Sequence, residues 1–480
     1  MCDTLLTLDE VLEATGGSLM ENGADRNAFC FTGVVTDSRN VCEKSLFVPL
    51  IGEFQDGHAY IPQALQKGAS VVFVAESAYT GKEEECRCLS SKKDGVFFVI
   101  VKNTLTALQD IAEKYVSKFP SLIRVSITGS SGKTTTKEIL ASILRQKFNL
   151  VCNKGNLNSE TGLPLSCFEI RKEHEAALLE MGMNRENEIG EIAKVFKPEY
   201  AGITNIGTAH VGMLGSRENI AREKKKIFTY IGSDGVCVIP YEDDFAAFLS
   251  EGVKGKVTYF GKGVSGNGIE FVKDDGINGT FFKIDGEEVH LKIPGKYNYN
   301  DTLLAVEIAR KLGLTPSQIK KGIEEVKPLG GRSNIIRGKY TILEDCYNAN
   351  PDSMEKSLEF AGDLSVSGKK IFVIGDMKEL GEESCQAHRK AGQLAVKGGA
   401  QMIVFVGNEM VEGFTAAQEL SQNNRNLRLS YYEKYGDGDI KNIAAEISGF
   451  ASEGDFILLK ASHSVSLERL IPLLEEVKGQ

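Results

Sequence analysis

The sequence predicts an α/β protein of three domains. These are a small α/β domain over residues 1–120, a central doubly wound domain with a β insertion over 121–328, and a Rossmann-like α/β domain over 329–480. Three observations support this. A chain of 480 residues is three times the roughly 150 residues typical of one domain. Short apolar runs alternate with helix-period segments through most of its length, as in parallel sheets covered by helices. A Gly/Ser loop stands between an apolar run at Leu122 and a helical segment at Lys133, the strand-loop-helix start of a doubly wound unit.

In the first block the runs CFTGVV, SLFVPL, SVVFVA and GVFFVIV read as strands, and HAYIPQALQKG and TALQDIAEKYVSKF as helices. The second block has LIRVSI, the helix KTTTKEILASILRQKF, and strands AALLE, YAGITN and GVCVIP. From Lys254 to Pro294 the texture changes to short strand pairs with Asp-Gly turns, predicting a β insertion. The helix NDTLLAVEIARKLG closes the block, and KPLGGR marks a hinge. In the third block YTILED, KKIFVIG, QMIVFVG, LRLSYY and DFILLK alternate with helical segments, predicting an open parallel sheet.

Composition narrows the function. A formal net charge of -10 gives no general attraction to nucleic acid or anionic lipid. No apolar run approaches the roughly 18 residues of a bilayer span, and the acidic start MCDTLLTLDE is unlike a signal peptide. A cytoplasmic protein without membrane insertion is expected. The ten Cys are scattered, with neither a zinc nor a CxxC spacing, so they are expected to be mostly reduced, buried thiols. Gly is abundant, at 50 residues against 11 Pro, which places the excess in turns and ligand loops rather than in linkers.

The sharpest local signal is Thr128-Gly129-Ser130-Ser131-Gly132-Lys133-Thr134-Thr135-Thr136. Glycines let successive backbone N–H groups curl around phosphate oxygens at a helix N-terminus. Lys133 would reach the β- and γ-phosphates of ATP, and the Thr134 hydroxyl would ligate Mg²⁺. Ile127 stands where the standard pattern has its first Gly, so the loop is a shortened form. A Gly/Ser turn that only caps a helix is the alternative. Glu180 ends a strand, and its carboxylate would emerge at the carboxyl edge of the sheet or simply face solvent. His210 in TNIGTAHVG is either a structural histidine or a third group on the rim shared with Thr134 and Glu180, where phosphates, oxygen and imidazole suit a divalent cation. Lys224 and Lys225 lie in ENIAREKKKIF, and Lys225 reads as part of a solvated face.

These residues resemble the Mur ligases, ATP-dependent amide-forming enzymes of peptidoglycan synthesis, over nearly the whole chain. TDSRNV and LFVPLIGEFQDGHAYIPQALQKGA are similar to the family's UDP-binding first domain. TGSSGKTTTKE is similar to its ATP loop, in a P-loop-like ATPase domain. NKGNLNSETGLP, DCYNANPDSM and GDMKELGEES resemble the members that add D-alanyl-D-alanine; their relatives carry an Asp-Tyr-Ala-His type motif at the second of these. The resemblance implies ATP, Mg²⁺, UDP-N-acetylmuramoyl-tripeptide and D-alanyl-D-alanine as ligands; a monomer is expected. It implies substrate contacts at Asp37, Ser38, Arg39, Asp56, Gly57, His58, Asn156, Asn158 and Asn350. Thr134 and Glu180 would hold one Mg²⁺, and His210 would help hold a second. Lys224 aligns with a lysine carbamylated in the family, where CO₂ turns a cation into a metal-ligating carboxylate. Asn298 matches an adenine contact and Arg332 a phosphate contact, and Asp345, Tyr347 and Asn348 line the ATP side of the third domain.

The chain departs from the family's pattern at several positions. Tyr297 stands for His, Asp301 for the second Asn of that motif, and Lys226 for an acid; Ala461 and His463 stand for the Gly and Arg of a KGSR-type run. The implied route is ATP-driven formation of an acyl phosphate, then amine attack, with a closing motion at the Gly330-Gly331 hinge that excludes water. The rivals are a Mur ligase adding diaminopimelate or lysine, a folylpolyglutamate-synthase-like ligase, and a non-catalytic nucleotide-binding regulator. The last would be expected to have lost Lys133, Glu180 or Lys224, and all three are present.

Overall fold

The computed structural model describes residues 4–20, 24–81, 83–91, 95–422 and 424–475. The chain falls into two compact units. One comprises Met1–Ser126, Phe148–Glu199 and Lys226–Gly232; the other comprises Ile127–Lys147, Tyr200–Lys225 and Ser233–Gln480.

The first unit holds a five-stranded sheet in the order Ser18–Leu19, Phe97–Val101, Val71–Ala75, Ser45–Phe47, Gly33–Val35. The Ser18–Leu19 edge is antiparallel and the other pairings are parallel. Every residue of VVFVA and FFVIV is buried, as expected of parallel strands covered on both faces. Phe47, Val72, Val74 and Phe98 pack with Ile61 and Leu65 of the helix Ile61–Gln66, and each such side chain contributes about 1.5–3 kcal/mol by leaving water. The helix Thr104–Ser117 starts at Asn103, whose side chain accepts the Thr106 N–H. In the same unit Leu150–Cys152 runs parallel to Ala176–Glu180, and the Ile123 N–H donates to Glu175 O.

In the second unit Tyr200–Ile203, Val236–Pro240 and Lys256–Phe260 are parallel neighbours, and the Thr204 N–H donates to Thr128 O. Lys256–Phe260 therefore belongs to a parallel sheet and not to the expected β insertion. The insertion begins at Ile269 and is a three-stranded antiparallel sheet, Ile269–Asp274, Thr280–Ile284 and Glu287–Leu291. The Asp-Gly turn behind the expectation is real: Asp285 and Gly286 have φ of +51° and +88°, the geometry of a tight hairpin. The closing helix starts earlier than its apolar periodicity indicates, at Lys296, and runs to Lys311.

The remaining sheet has the order Asn334–Arg337, Thr341–Glu344, Phe456–Lys460, Lys370–Gly375, Met402–Val406, Arg428–Tyr432. It is parallel as expected except for its Asn334–Arg337 edge, which pairs antiparallel. Alternate residues of its strands feed two cores, one with Phe372, Ile374 and Phe405, the other with Ile371, Val373 and Val404. The strands end at Glu344, Gly375, Val406 and Lys460, and Asp345 and Asp376 stand just past the first two, so this edge carries two carboxylates and the Lys460 amine. Cysteine usage differs in part from expectation. Cys30 is disulfide-bonded, and of the free thiols Cys86, Cys167, Cys237 and Cys346 are buried while Cys42, Cys88 and Cys385 are exposed.

Candidate active site

The loop after Thr128 is set by two glycines with positive φ, Gly129 at +153° and Gly132 at +78°. A Cβ on Gly129 would lie 1.7 Å from Thr204 Oγ1, and one on Gly132 would lie 2.3 Å from Asp301 Oδ1. Gly132 precedes the helix Lys133–Leu144, which puts Lys133 and Thr134 in the first turn. Thr204 and Asn205 brace the loop. Thr204 Oγ1 donates to Ser131 O (2.6 Å), and the Ser130 and Ser131 N–H groups donate to Asn205 O and Oδ1 (3.0 and 3.2 Å). These two amides hold the loop's shape, and Ser130 Oγ accepts the Gly207 N–H at 2.8 Å.

Three basic side chains converge here. Lys133 Nζ and Lys224 Nζ both donate to Gly129 O, each at 2.8 Å. Lys224 is 1% exposed, which the charged run KKK does not reveal. His210, with φ +66°, stands before the short helix Val211–Leu214. Its Nδ1 lies 2.9 Å from Glu379 Oε2, a close charge contact without full hydrogen-bond alignment. Burial holds the His210 pKa below the usual imidazole value, Lys133 and Lys224 act in the same direction, and Glu379 opposes them. The contact with His210 in turn holds the Glu379 pKa low, ahead of the opposing effect of its own burial.

Glu180 is 2% exposed. Its N–H donates to Asn153 Oδ1 (3.0 Å), and its Oε1 accepts from Asn158 Nδ2 (2.7 Å). Asn158 is thus a support for Glu180, and the Asn156 carbonyl accepts the Asn158 N–H. Asn153, which opens the Asn-rich stretch, holds Glu180 from the backbone side and was not singled out in the sequence. Its signal was the same Asn density that pointed to Asn156 and Asn158.

Just past the strand Thr341–Glu344, Asp345 accepts from the Ser333 N–H (3.2 Å), Ser357 Oγ (3.0 Å) and Lys460 Nζ (2.8 Å). Lys460 also donates to Asn348 O. The Arg332 guanidinium lies 4.1 Å from the Tyr347 ring centroid, and His463 stacks on the same ring at 5.2 Å. His463 therefore supplies a flat partner for Tyr347 at the position where the family has Arg. Ala461 is fully buried and faces Gly375. Asn350 caps the helix Pro351–Asp363 by accepting the Ser353 N–H. Asn298 is 1% exposed and spends its Nδ2 on Pro294 O (2.6 Å). Tyr297 bonds Ser333 through its hydroxyl (3.0 Å).

In the first unit Asp37 and Asp56 each open a one-turn helix by accepting the N–H two residues on. Arg39 pairs with Asp37 at 2.7 Å and lowers its pKa. Ser38 Oγ bonds Gln63 Oε1 (2.7 Å). His58 Nδ1 meets Asp56 at 2.6 Å and its Nε2 accepts the Ala75 N–H at 3.0 Å. His58 thus ties the turn to a strand, and Gly57 permits the close approach, since a Cβ there would sit 2.7 Å from the Leu50 backbone. Lys226 lies in the first unit, with its side chain near Gly190.

Family models match three stretches: "Mur ligase family, catalytic domain" over 31–116, "Mur ligase middle domain" over 127–309, and "Mur ligase, glutamate ligase domain" over 331–463. A relative in Treponema pallidum (strain Nichols) is 38% identical, covering 98% of this chain and 99% of the relative. The chain belongs to the Mur ligase family. That relative bears the name UDP-N-acetylmuramoyl-tripeptide--D-alanyl-D-alanine ligase, as does one from Bacillus subtilis (strain 168) at 30% identity over 98% of both chains. Among solved structures, MurF from Acinetobacter baumannii superimposes with a TM-score of 0.83 at 29% identity over 98% of each chain. A MurF ligase from Thermotoga maritima, solved in complex with ADP, gives 0.75 at 27% identity, covering 92% of this chain and 97% of its own.

One departure has a measurable consequence in this Mur ligase. Burial pushes the Asp301 carboxyl, set against Gly132, up to about 7, with Lys356 acting in the opposite direction. Between roughly pH 4, the ordinary carboxyl value, and pH 7 the folded protein keeps a proton that the unfolded chain has released. Stability therefore falls as pH rises through that window and levels off above it. Asp301→Asn is expected to match the parent's unfolding free energy at pH 4 and exceed it at pH 8, by on the order of 2 kcal/mol given partial solvent access, with a correspondingly higher thermal midpoint. Melting curves at the two pH values check this.

Proposed function

We propose that this Mur ligase joins D-alanyl-D-alanine to UDP-N-acetylmuramoyl-tripeptide at the expense of ATP. The convergence of Lys133, Lys224 and His210 on the loop at Gly129 carries the ATP half of this reading. Lys133 at a helix N-terminus suits a polyphosphate and the charge that develops during phosphoryl transfer, and His210 with a carbamate on Lys224 would hold the cation that accompanies it. The amine and acyl partners come from the motifs DCYNANPDSM and GDMKELGEES and from the names of the full-length relatives.

A carboxylate is a poor acylating agent. In the proposed route the terminal carboxylate of the tripeptide attacks the γ-phosphorus, ADP leaves, and an acyl phosphate results. The free amine of D-alanyl-D-alanine then attacks the acyl carbon, the new amide forms, and inorganic phosphate departs with the carboxylate's oxygen. Lys133 places its charge at the transferred phosphoryl group, and Arg332, steadied over Tyr347, offers a second cation.

Among the described residues no three His, Cys, Asp or Glu side chains are clustered as a metal site. A cation would thus depend largely on hydroxyl and phosphate oxygens beside His210, a donor set that fits hard Mg²⁺. Two Mg²⁺ are assigned by the family resemblance: Thr134 and Glu180 would hold one beside the phosphates, and His210 with a carbamate on Lys224 would help hold a second; bound there, Mg²⁺ would neutralise charge on the phosphates. A carbamate on Lys224 keeps one N–H, so the bond to Gly129 O survives the modification.

Tripeptide labelled with ¹⁸O in its terminal carboxylate tests the route. One label is expected in the released phosphate for each amide formed. Phosphate free of label would exclude the acyl phosphate.

A further inference from the structure

We propose that Glu379 is a positioning residue that fixes His210 for cation binding, so that the nitrogen ligand is completed by the 376–383 segment that follows strand Lys370–Gly375. The proposal rests on the reading of His210 as a cation ligand. An imidazole ligand binds through one nitrogen and gives its other N–H to a carboxylate or carbonyl, which fixes ring orientation and tautomer. Here Nδ1 faces Glu379 at 2.9 Å, which leaves Nε2 as the nitrogen able to meet a cation.

The backbone is built to bring this pair together. His210 and Glu379 both adopt φ of +66°, outside the range most side chains prefer. Beside them two glycine stretches touch: a Cβ on Gly212 would lie 2.8 Å from Gly381 N and 2.9 Å from Glu379 O. Thr208 donates its N–H and hydroxyl to Asp352 Oδ2 at 2.9 and 3.3 Å, which anchors the His210 loop to the helix Pro351–Asp363. On the other side the Met377 N–H donates to the buried His388 Nε2 (3.0 Å), and the Lys378 N–H to Ser462 Oγ (3.1 Å). The backbone immediately before Glu379 is therefore held at two successive amides. Positive φ at the two facing residues and the close glycine contact between their loops together place one carboxylate against one imidazole.

The test uses the full-length protein with ADP and Mn²⁺, read by electron spin echo envelope modulation and by an EPR binding titration. Wild type is expected to show ¹⁴N modulation from one imidazole, lost in His210→Ala. Glu379→Ala is expected to lose or greatly weaken that modulation and to bind Mn²⁺ about 10- to 100-fold more weakly. Glu379→Gln, whose amide oxygen can still accept the Nδ1 proton, is expected to keep the modulation. Weaker Mn²⁺ binding in Glu379→Ala with the nitrogen signal unchanged would make Glu379 itself a ligand and overturn the proposal, as would no change in either quantity. Absence of nitrogen modulation in wild type would overturn the ligand reading of His210, and this inference with it.

Discussion

Lys224→Met is expected to lower kcat/KM by at least about 100- to 1,000-fold while leaving the protein folded. The side chain is 1% exposed and ends on Gly129 O, so methionine fills nearly the same volume and loses the donor and any carbamate. Filling the volume matters, because alanine would add a cavity penalty of about 2–5 kcal/mol and mix folding with chemistry. Steady-state kinetics together with a melting curve separates the two. In bicarbonate-labelled wild type a ¹³C carbamate resonance is expected, and it should be absent from the variant. Full activity in Lys224→Met would remove this residue from the mechanism.

Gly129→Ala is expected to weaken ATP binding more than about 100-fold and to destabilise the fold by roughly 1–3 kcal/mol. The added Cβ would fall 1.7 Å from Thr204 Oγ1, 2.9 Å from Thr204 Cβ and 3.0 Å from Thr204 N. The first contact can be relieved by changing a side chain, but the last involves backbone. The loop must therefore shift, carrying with it the carbonyl on which Lys133 and Lys224 converge. Adding Thr204→Ala should restore only part of the loss, since it also removes the bond from Thr204 Oγ1 to Ser131 O. Nucleotide titration calorimetry on both variants measures this; near-normal affinity in the single variant would mean that the loop tolerates a different backbone path.

Most of the architecture was legible because apolar runs and Gly-bearing turns are local signals. VVFVA, FFVIV and MIVFV are continuous buried strands, as is KIFVIG after its half-buried Lys370, as their composition predicts. Lys256–Phe260 reads as part of the insertion because its polar neighbours imitate the Asp-Gly hairpins that follow, whereas its place in the fold is decided by a parallel pairing with Val236–Pro240 that no short window reveals. The phosphate loop was legible for the same local reason. The environment of its members was not. Asp301 against Gly132 and Glu379 against His210 join residues far apart in sequence, and local spacing carries no trace of either.

Residues named through motifs divide by what the fold asks of them. Lys133, Lys224 and His210 do gather at one place. His58, Asn298, Asn350 and Asp345 are each engaged in a cap, a turn or an internal network. A motif residue engaged in this way shapes the loop that meets a ligand, and its loss should alter affinity through loop geometry as well as contact. Asn153 gives the same lesson from the other direction. It holds Glu180 by a backbone bond, a role to which a sequence motif gives no label.

The reading that unites these observations is a ligase that activates a carboxylate with ATP and delivers it to one particular dipeptide amine. The most direct measurement supplies ATP, Mg²⁺ and UDP-N-acetylmuramoyl-tripeptide, then compares D-alanyl-D-alanine with single amino acids, among them D-alanine, diaminopimelate, lysine and glutamate. Phosphate release and product mass are followed together. Turnover with D-alanyl-D-alanine, a product heavier by that dipeptide less one water, and little turnover with any single amino acid are the predicted result. Turnover with a single amino acid and none with D-alanyl-D-alanine would contradict it.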